Sequence, residues 1–503
     1  MNTSLETKLK DLADMEIIKD GKIINRNPAK ISEIVSEHKI DSVSELEAKL
    51  KKSSEAFKTW SKLPAPKRAE YLSKAKVLFA EKKEFLATQL HRENGKPLVE
   101  ARGEIQEIID VLDFFAGEGR RNYGLTGQSE MADKTIISIR EPIGPAVFIT
   151  AWNFPAAVPS WKAAPALIAG NTFILKPSEL APLSGQLFVD VLNEAGLPEG
   201  VAQVAFGAGD VGEYLVKSPY SKIVSVTGSV EVGRHVATLA AQGFKKCALE
   251  LGGKNSTIML ADADLDLAEE GVTWGAFGTG GQRCTSTSRL IIDKAISAEF
   301  TNRLKKKAEQ FCDKATGKIS ESYTPIISKK QLHKIDAMVK EALKEGAELI
   351  CGGEILDDGS KSGCYYLPTI LKCKHGMKIT KEEVFGPVLA IMEVESESGT
   401  RTKDQVLKDA MFIANDVEYG LSNSIFTRDV NLGMKATKEF QSGLVYLNAP
   451  TIGAECGGAS FFGGWKNTGN GSRESGIAAL DTYTQYKTIA IDYSGKLQRA
   501  QID

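Results

Sequence analysis

Residues 223–242, IVSVTGSVEVGRHVATLAAQ, carry the pattern that decides the fold. A short β-rich run ends in Thr227-Gly228-Ser229, and a helical run begins within a few positions. Gly228 and Gly233 flank the turn, where glycine permits close backbone approach and a helix N-terminus offers free N–H groups to a phosphate. The GxxxxG spacing is not the GxGxxG fingerprint, so phosphate binding and a plain strand–helix turn stay equally open on this segment alone. The same alternation extends upstream. AVFIT (146–150), TFILK (172–176) and VAQVAF (201–206) read as strands, with PSWKAAPALIAG and SGQLFVDVLNEAG as helices between them. This alternation predicts an α/β fold built on a doubly wound parallel sheet.

Outward from that core, a second alternating region runs from about 253 to 452, with helices expected over 296–314 and 329–346. Residues 42–120 read as consecutive helices, the first opened by the capping box Ser42-x-x-Glu45. KTIISIR (134–140) and YKTIAIDY (486–493) are β-rich pieces without a neighbour in sequence, free to pair with each other or with another subunit.

Composition narrows the function. The chain has 503 residues, enough for two to four domains, with 42% hydrophobic and 25% charged residues. Lys+Arg number 63 against 65 Asp+Glu, a net charge of −2, which leaves no broad basic field for nucleic acid or an anionic membrane. The apolar neighbourhood 145–170 is interrupted by Asn153 and Lys162 and reads as buried core, not a bilayer span. The first 16 residues are acidic and lack an apolar h-region, so no secretory signal is expected. Seven cysteines, scattered without CxxC or metal-ligand spacing, argue against a disulfide framework or a metal site and point to a reducing cytoplasm. The five histidines avoid the Gly-rich segments, which disfavours a His-dependent hydrolase.

Those segments hold the chemistry instead. Cys284, in GAFGTGGQRCTSTSR (275–289), sits in a setting too polar and flexible for ordinary core; the adjacent Arg283 and nearby N–H groups are expected to lower its thiol pKa. Cys456, in AECGGAS, is a weaker second thiol. Glu250, between Leu249 and Leu251 in LELGGK, is placed for a raised pKa and general-base work, or else for satisfaction by backbone N–H groups. Asn153, in TAWNFP, offers an amide to an oxyanion or simply makes a turn before proline. Lys176 and Glu179, in ILKPSE, fall at a strand's carboxyl end, where ribose hydroxyls are bound, or form a solvated loop. Glu383 and Phe385 lie at the turn EEVFGP (382–387).

In order, TAWNFP, ILKPSE, VTGSVEVG, LELGGK, GQRC, EEVFGP and FFGGWKNTGNG (461–471) resemble the motif series of the aldehyde dehydrogenase superfamily, with EAFKTW through ENGKP (55–97) fitting as well. The likeness spans roughly residues 45–493 and leans toward the α-aminoadipic and 2-oxoglutaric semialdehyde branch. It implies that Cys284 attacks the aldehyde, that Asn153 and the Cys284 N–H hold the oxyanion, and that Glu250 activates the water that hydrolyses the thioester. It matches Lys176 and Glu179 to the adenosine ribose, Gly228, Ser229 and Gly233 to the pyrophosphate side, and Trp152, Glu383 and Phe385 to the nicotinamide side. Glu179 favours NAD, since a carboxylate repels the 2′-phosphate of NADP, though NADP is left open. Arg283, in the GQRC variant, suggests a carboxylate-bearing semialdehyde, with Glu107, Arg120 and Arg121 as further pocket candidates; each has an alternative as a structural ion pair or solvated face.

The family pattern further implies a dinucleotide-binding domain (1–121 and 142–252), a catalytic domain (253–452), a β oligomerisation flap (122–141 and 482–503) and a linking segment (453–481) near the aldehyde tunnel. A homodimer or homotetramer without metal is implied. Phe461 stands where the family pattern has proline, so the shape of that tunnel wall departs from the type. The alternatives are a CoA-acylating enzyme, disfavoured by the presence of Glu250, and a catalytically silent relative.

Overall fold

The computed structural model describes residues 17–313, 318–356, 363–453 and 456–499. Met1–Glu16, whose composition argued against a leader, lies outside them, as do residue 314 of the expected 296–314 helix and residues 500–503 of the expected flap. The four helices of the 42–120 region are Val43–Trp60, Ala65–Glu81, Lys83–Asn94 and Leu98–Glu118. Both halves of the capping box form: the Glu45 N–H donates to Ser42 Oγ at 3.3 Å, and the Ser42 N–H donates to Glu45 Oε2 at 2.8 Å. The fourth helix buries Ile105, Ile108, Leu112 and Phe115 along one stripe, the pattern of a helix laid on a core.

The first sheet is parallel throughout, in the order Lys246–Glu250, Ile223–Thr227, Ala146–Ile149, Phe173–Lys176, Ala202–Val204. Chain order reverses between Ile223–Thr227 and Ala146–Ile149. Crevices outside the carboxyl ends of strands at such a reversal are where α/β sheets bind ligands. Thr150–Asn153 and Thr227–Ser229 leave the sheet there. The helix Ala157–Ala169 is buried at every position, as the apolar 145–170 stretch foretold, and Gly170 ends it at φ 104°, a backbone state that favours glycine.

The second sheet has seven strands in the order Glu348–Cys351, Thr369–Lys372, Val388–Val394, Arg289–Asp293, Ser256–Met259, Ser422–Phe426, Leu444–Leu447, only the first running antiparallel. From the carboxyl end of the first sheet at Glu250, six residues bring the chain to the amino end of the second at Ser256. Helices Lys294–Phe311 and Lys329–Lys344 match their expected positions. The α/β class with parallel sheets stands.

The two lone β-rich pieces pair with each other: Lys134–Pro142 and Thr484–Asp492 form an antiparallel ladder from Thr484↔Pro142 to Asp492↔Lys134. Leu125–Gln128 adds a third strand that sequence reading passed over. A second unanticipated sheet, Ile18–Lys19, Lys22–Asn27 and Lys30–Lys39, touches both halves of the molecule. Asn25 Nδ2 donates to the Leu180 carbonyl at 3.0 Å, and the Cys364 N–H donates to the Pro28 carbonyl at 2.9 Å. Among the described residues, no helix is long and apolar enough to cross a membrane.

Candidate active site

A cavity of about 350 Å³ opens where the carboxyl ends of the first sheet face the amino ends of the second. It gathers Cys284, Glu250 and Asn153, then Trp152, Gly228, Ser229, Glu383 and Phe385, then Arg283 and Glu107. Residues as far apart in sequence as Glu107 and Glu474 thus meet in one chamber. Lys176, Glu179, Gly233 and Arg121 are not on its wall.

Cys284 arrives on a strained turn. Thr279, Gly280 and Gly281 carry φ of 52°, 60° and 66°, left-handed backbone in succession. A Cβ on Gly281 would lie 2.3 Å from the Gly386 carbonyl oxygen, so close approach as well as φ demands glycine. Beyond the thiol, Asn255 Nδ2 donates to the carbonyls of Cys284 (2.7 Å) and Ser286 (2.9 Å), while its Oδ1 accepts the Ser422 N–H at 3.0 Å. One asparagine therefore ties the Cys284 loop to the start of two strands of the second sheet.

Sequence reading expected Arg283 to lower the Cys284 pKa; the electrostatics run the other way. Burial, then the carboxylates of Glu383 and Glu250, push the thiol up to about 12. The Arg283 guanidinium is committed elsewhere. Its Nη2 donates to Glu100 Oε2 at 3.2 Å and its Nε to Thr279 Oγ1 at 2.8 Å, and it packs near the rings of Trp274 (4.7 Å) and Phe154 (5.4 Å). Its Nη1 donates no hydrogen bond among the described residues.

Glu250 is 3% exposed, and among the described residues neither carboxyl oxygen has a hydrogen-bond partner, so the alternative of a backbone-satisfied structural glutamate fails. Burial raises its pKa well above the ordinary range, the Glu474 carboxylate raises it further, and Lys162 opposes both. Lys162 is fully buried, ion-paired with Glu474 and donating to Ser225 Oγ at 3.0 Å. The lone lysine in PSWKAAPALIAG was its sequence signal, since a charge inside an all-buried helix needs a partner. Glu474 gave none.

The crevice suits a dinucleotide. Ser229 caps the helix Val230–Gln242 by accepting the Val232 N–H at 3.3 Å. A Cβ on Gly228 would meet nothing closer than 3.9 Å, leaving the backbone open to a ligand. A Cβ on Gly233 would lie 2.5 Å from Leu251, which fits helix–strand packing instead of ligand contact. Thr227 Oγ1 is buried without a partner beside the same turn. Lys176 and Glu179 stand 3.6 Å apart further along the sheet edge, with Lys176 Nζ donating to the Pro177 carbonyl at 3.2 Å.

On the facing side, Glu383 accepts the Gly253 N–H at 2.9 Å and is lifted to about 7 by burial. Phe385 holds φ 55° with its ring edge-on to Trp152 at 5.3 Å, and Gln331 Nε2 donates to the carbonyls of Val384 and Phe385. Strain of this kind in a non-glycine residue marks functional turns. Glu107 is lifted to about 8 by burial and then by the Glu104 carboxylate. Arg121 is paired with Glu118 at 2.7 Å away from the chamber, in keeping with its structural alternative.

The geometry of a thiol, an orphaned carboxyl, an amide and an open helix terminus agrees with what known proteins share with this chain. Residues 17–489 match the model of the aldehyde dehydrogenase family. The alpha-ketoglutaric semialdehyde dehydrogenase of Bacillus subtilis (strain 168) is 36% identical over 92% of this chain and 93% of its own. The alpha-aminoadipic semialdehyde dehydrogenase of Mus musculus is 36% identical over 92% of this chain and 84% of its own. The crystal structure of betaine aldehyde dehydrogenase from Staphylococcus aureus in complex with NAD+ superposes with a TM-score of 0.88 at 30% identity, covering 95% of this chain and 93% of that one. The chain belongs to the aldehyde dehydrogenase family and is an NAD(P)-dependent aldehyde dehydrogenase.

Proposed function

We propose that the protein oxidises a small carboxylate-bearing semialdehyde to the acid, with NAD as hydride acceptor and water as the second nucleophile. The observation that carries this is the meeting of Cys284 with an unpartnered, buried Glu250 in a chamber whose wall includes Arg283. The Cys284 thiol gives up its proton to solvent and its sulfur attacks the aldehyde carbonyl, giving a thiohemiacetal whose oxyanion is held by the Asn153 amide and the Cys284 N–H. A bound NAD would supply the hydride acceptor for that carbon, whose oxidation leaves a thioester on Cys284. Glu250 then removes a proton from water, which attacks the thioester and releases the acid and the thiol. Residues that would hold the dinucleotide are Lys176 and Glu179 at the adenosine ribose, Gly228 and Ser229 near the pyrophosphate, and Trp152, Glu383 and Phe385 at the nicotinamide end.

The substrate class is supported by three features. Arg283 keeps Nη1 available for a carboxylate, and two similar relatives are named for semialdehydes. Glu107, lifted to about 8, is mostly neutral at pH 7 and does not repel an anion. Arg121 keeps no part in this scheme. The exposed three-stranded flap is proposed as the contact between copies in a homo-oligomer, and the scattered cysteines, all free in the structure, suit a reducing cytoplasm. The test is NAD reduction with succinic semialdehyde against butanal. A kcat/KM ratio above about 10 in favour of the semialdehyde, equal to about 1.4 kcal/mol of transition-state binding, supports a carboxylate pocket, and a ratio near one removes it.

A further inference from the structure

We propose that Glu100 is a positioning residue for the Cys284 thiol. From the first turn of the helix Leu98–Glu118, its carboxylate reaches a segment about 180 positions away and grips the turn that delivers the nucleophile. Oε1 accepts the Thr279 N–H at 3.2 Å. Oε2 accepts the Thr279 hydroxyl and the Arg283 Nη2 at 3.2 Å. The side chain is 6% exposed and is absent from the chamber wall, so it acts through others and not on the substrate.

The grip falls where the backbone needs one. Thr279 is β-branched and holds φ 52°, a state such residues rarely adopt unless their surroundings impose it. Both its N–H and its hydroxyl are tied to the same carboxylate. Arg283, the residue before the nucleophile, is fixed by that carboxylate and by two flanking rings. Asn255 secures the carbonyl of Cys284 from the other side. The sulfur is thus delivered between two clamps, Glu100 upstream and Asn255 downstream. Without Glu100 the left-handed turn loses its restraint, Arg283 loses its counter-charge, and the thiol loses its fixed line of approach.

This inference rests on Cys284 being the nucleophile, and the experiment separates the two. Alkylation by iodoacetamide is followed residue by residue in the full-length wild type, C284A, E100A and E100Q, beside NAD affinity and the pre-steady-state hydride burst. Fast modification in the wild type that vanishes in C284A identifies the reactive thiol. E100A then slows alkylation at Cys284 and the hydride burst by about tenfold or more, since misplacement of reacting groups is costly, while Cys247, Cys456 and NAD affinity stay within about twofold. E100Q, which keeps an acceptor but not the charge, falls between, and decides the matter if E100A does not fold. Wild-type alkylation and burst rates in the folded variant overturn the proposal. A general rise in reactivity at all cysteines also overturns it, because that marks loosened structure. No fast thiol at Cys284 in the wild type removes the nucleophile assignment and this proposal with it.

Discussion

Glu250 is a buried carboxyl group at the end of a strand with no hydrogen-bond partner among the described residues, and its environment dictates how catalysis should depend on pH. Raised well above the ordinary range, it is protonated at low pH and gains basicity only as pH climbs, so steady-state turnover rises with pH until that proton leaves. Glu250→Gln removes the base without touching the thiol. Its hydride burst should persist at about one per site while steady-state turnover falls about 10²–10⁴-fold, measured by rapid mixing; a lost burst would assign Glu250 to an earlier step. Glu107 tests the substrate pocket. Neutral below about 8, it ionises above that and places a negative charge beside an anionic substrate. The preference for succinic semialdehyde over butanal should therefore shrink between about pH 7 and pH 9, and Glu107→Gln should flatten that trend. An unchanged slope in the variant would exclude the residue. At this scale the meeting of Cys284, Glu250 and Asn153 in one chamber was legible from their segments, but the direction of the Cys284 shift was not, because adjacency in sequence did not bring the Arg283 cation to the sulfur.

Core elements were legible because they bury a face; the flap strands Lys134–Pro142 and Thr484–Asp492, which do not, were legible only as β-rich runs. The four strands read in the 145–227 region all form; three are buried almost throughout, and Ala202–Val204 is half-buried. Lys30–Lys39 has no fully buried residue, so no hydrophobic face distinguishes it from a loop, and Leu125–Gln128 is exposed at every position. What joins elements is carried by single side chains that pattern reading does not weigh. Asn171, fully buried, accepts the N–H groups of Ile143 and Gly144 through Oδ1 and donates to the carbonyls of Ala166 and Tyr483 through Nδ2. It pins the entry to the first sheet and the last residue before the terminal flap strand. Asn171→Ala leaves those buried groups unpaired and should cost about 2–4 kcal/mol of stability, read from denaturant unfolding monitored at two wavelengths. A loss under about 1 kcal/mol would mean that water replaces the amide.

At the scale of the molecule, the site exists only because the carboxyl ends of one sheet meet the amino ends of another, with Glu250 ending the first and the Cys284 loop leading into the second. Motif order announced that meeting, whereas the Lys162–Glu474 pair joins residues 312 positions apart, and only its lysine, alone in a buried helix, showed in local pattern. The flap is the part of the molecule that does not close on itself. Its strands show Leu125, Tyr486 and Ile491 to solvent at 69%, 53% and 48% exposure, and Tyr493, just past the last strand, is 63% exposed. Among the described residues, its outer strands, Leu125–Gln128 and Thr484–Asp492, each have one unpaired edge. A small sheet with open edges and apolar side chains is marginal in water and a template for further pairing, so a second copy is its natural cover. Ile491→Lys puts a charge on that face without disturbing either core. In light scattering after size exclusion, the wild type should run at a multiple of the chain mass and the variant at a smaller one, with more dissociation on dilution. A wild type that runs at the mass of one chain, or a variant that keeps the full assembly, would mean that the flap is not the contact between copies.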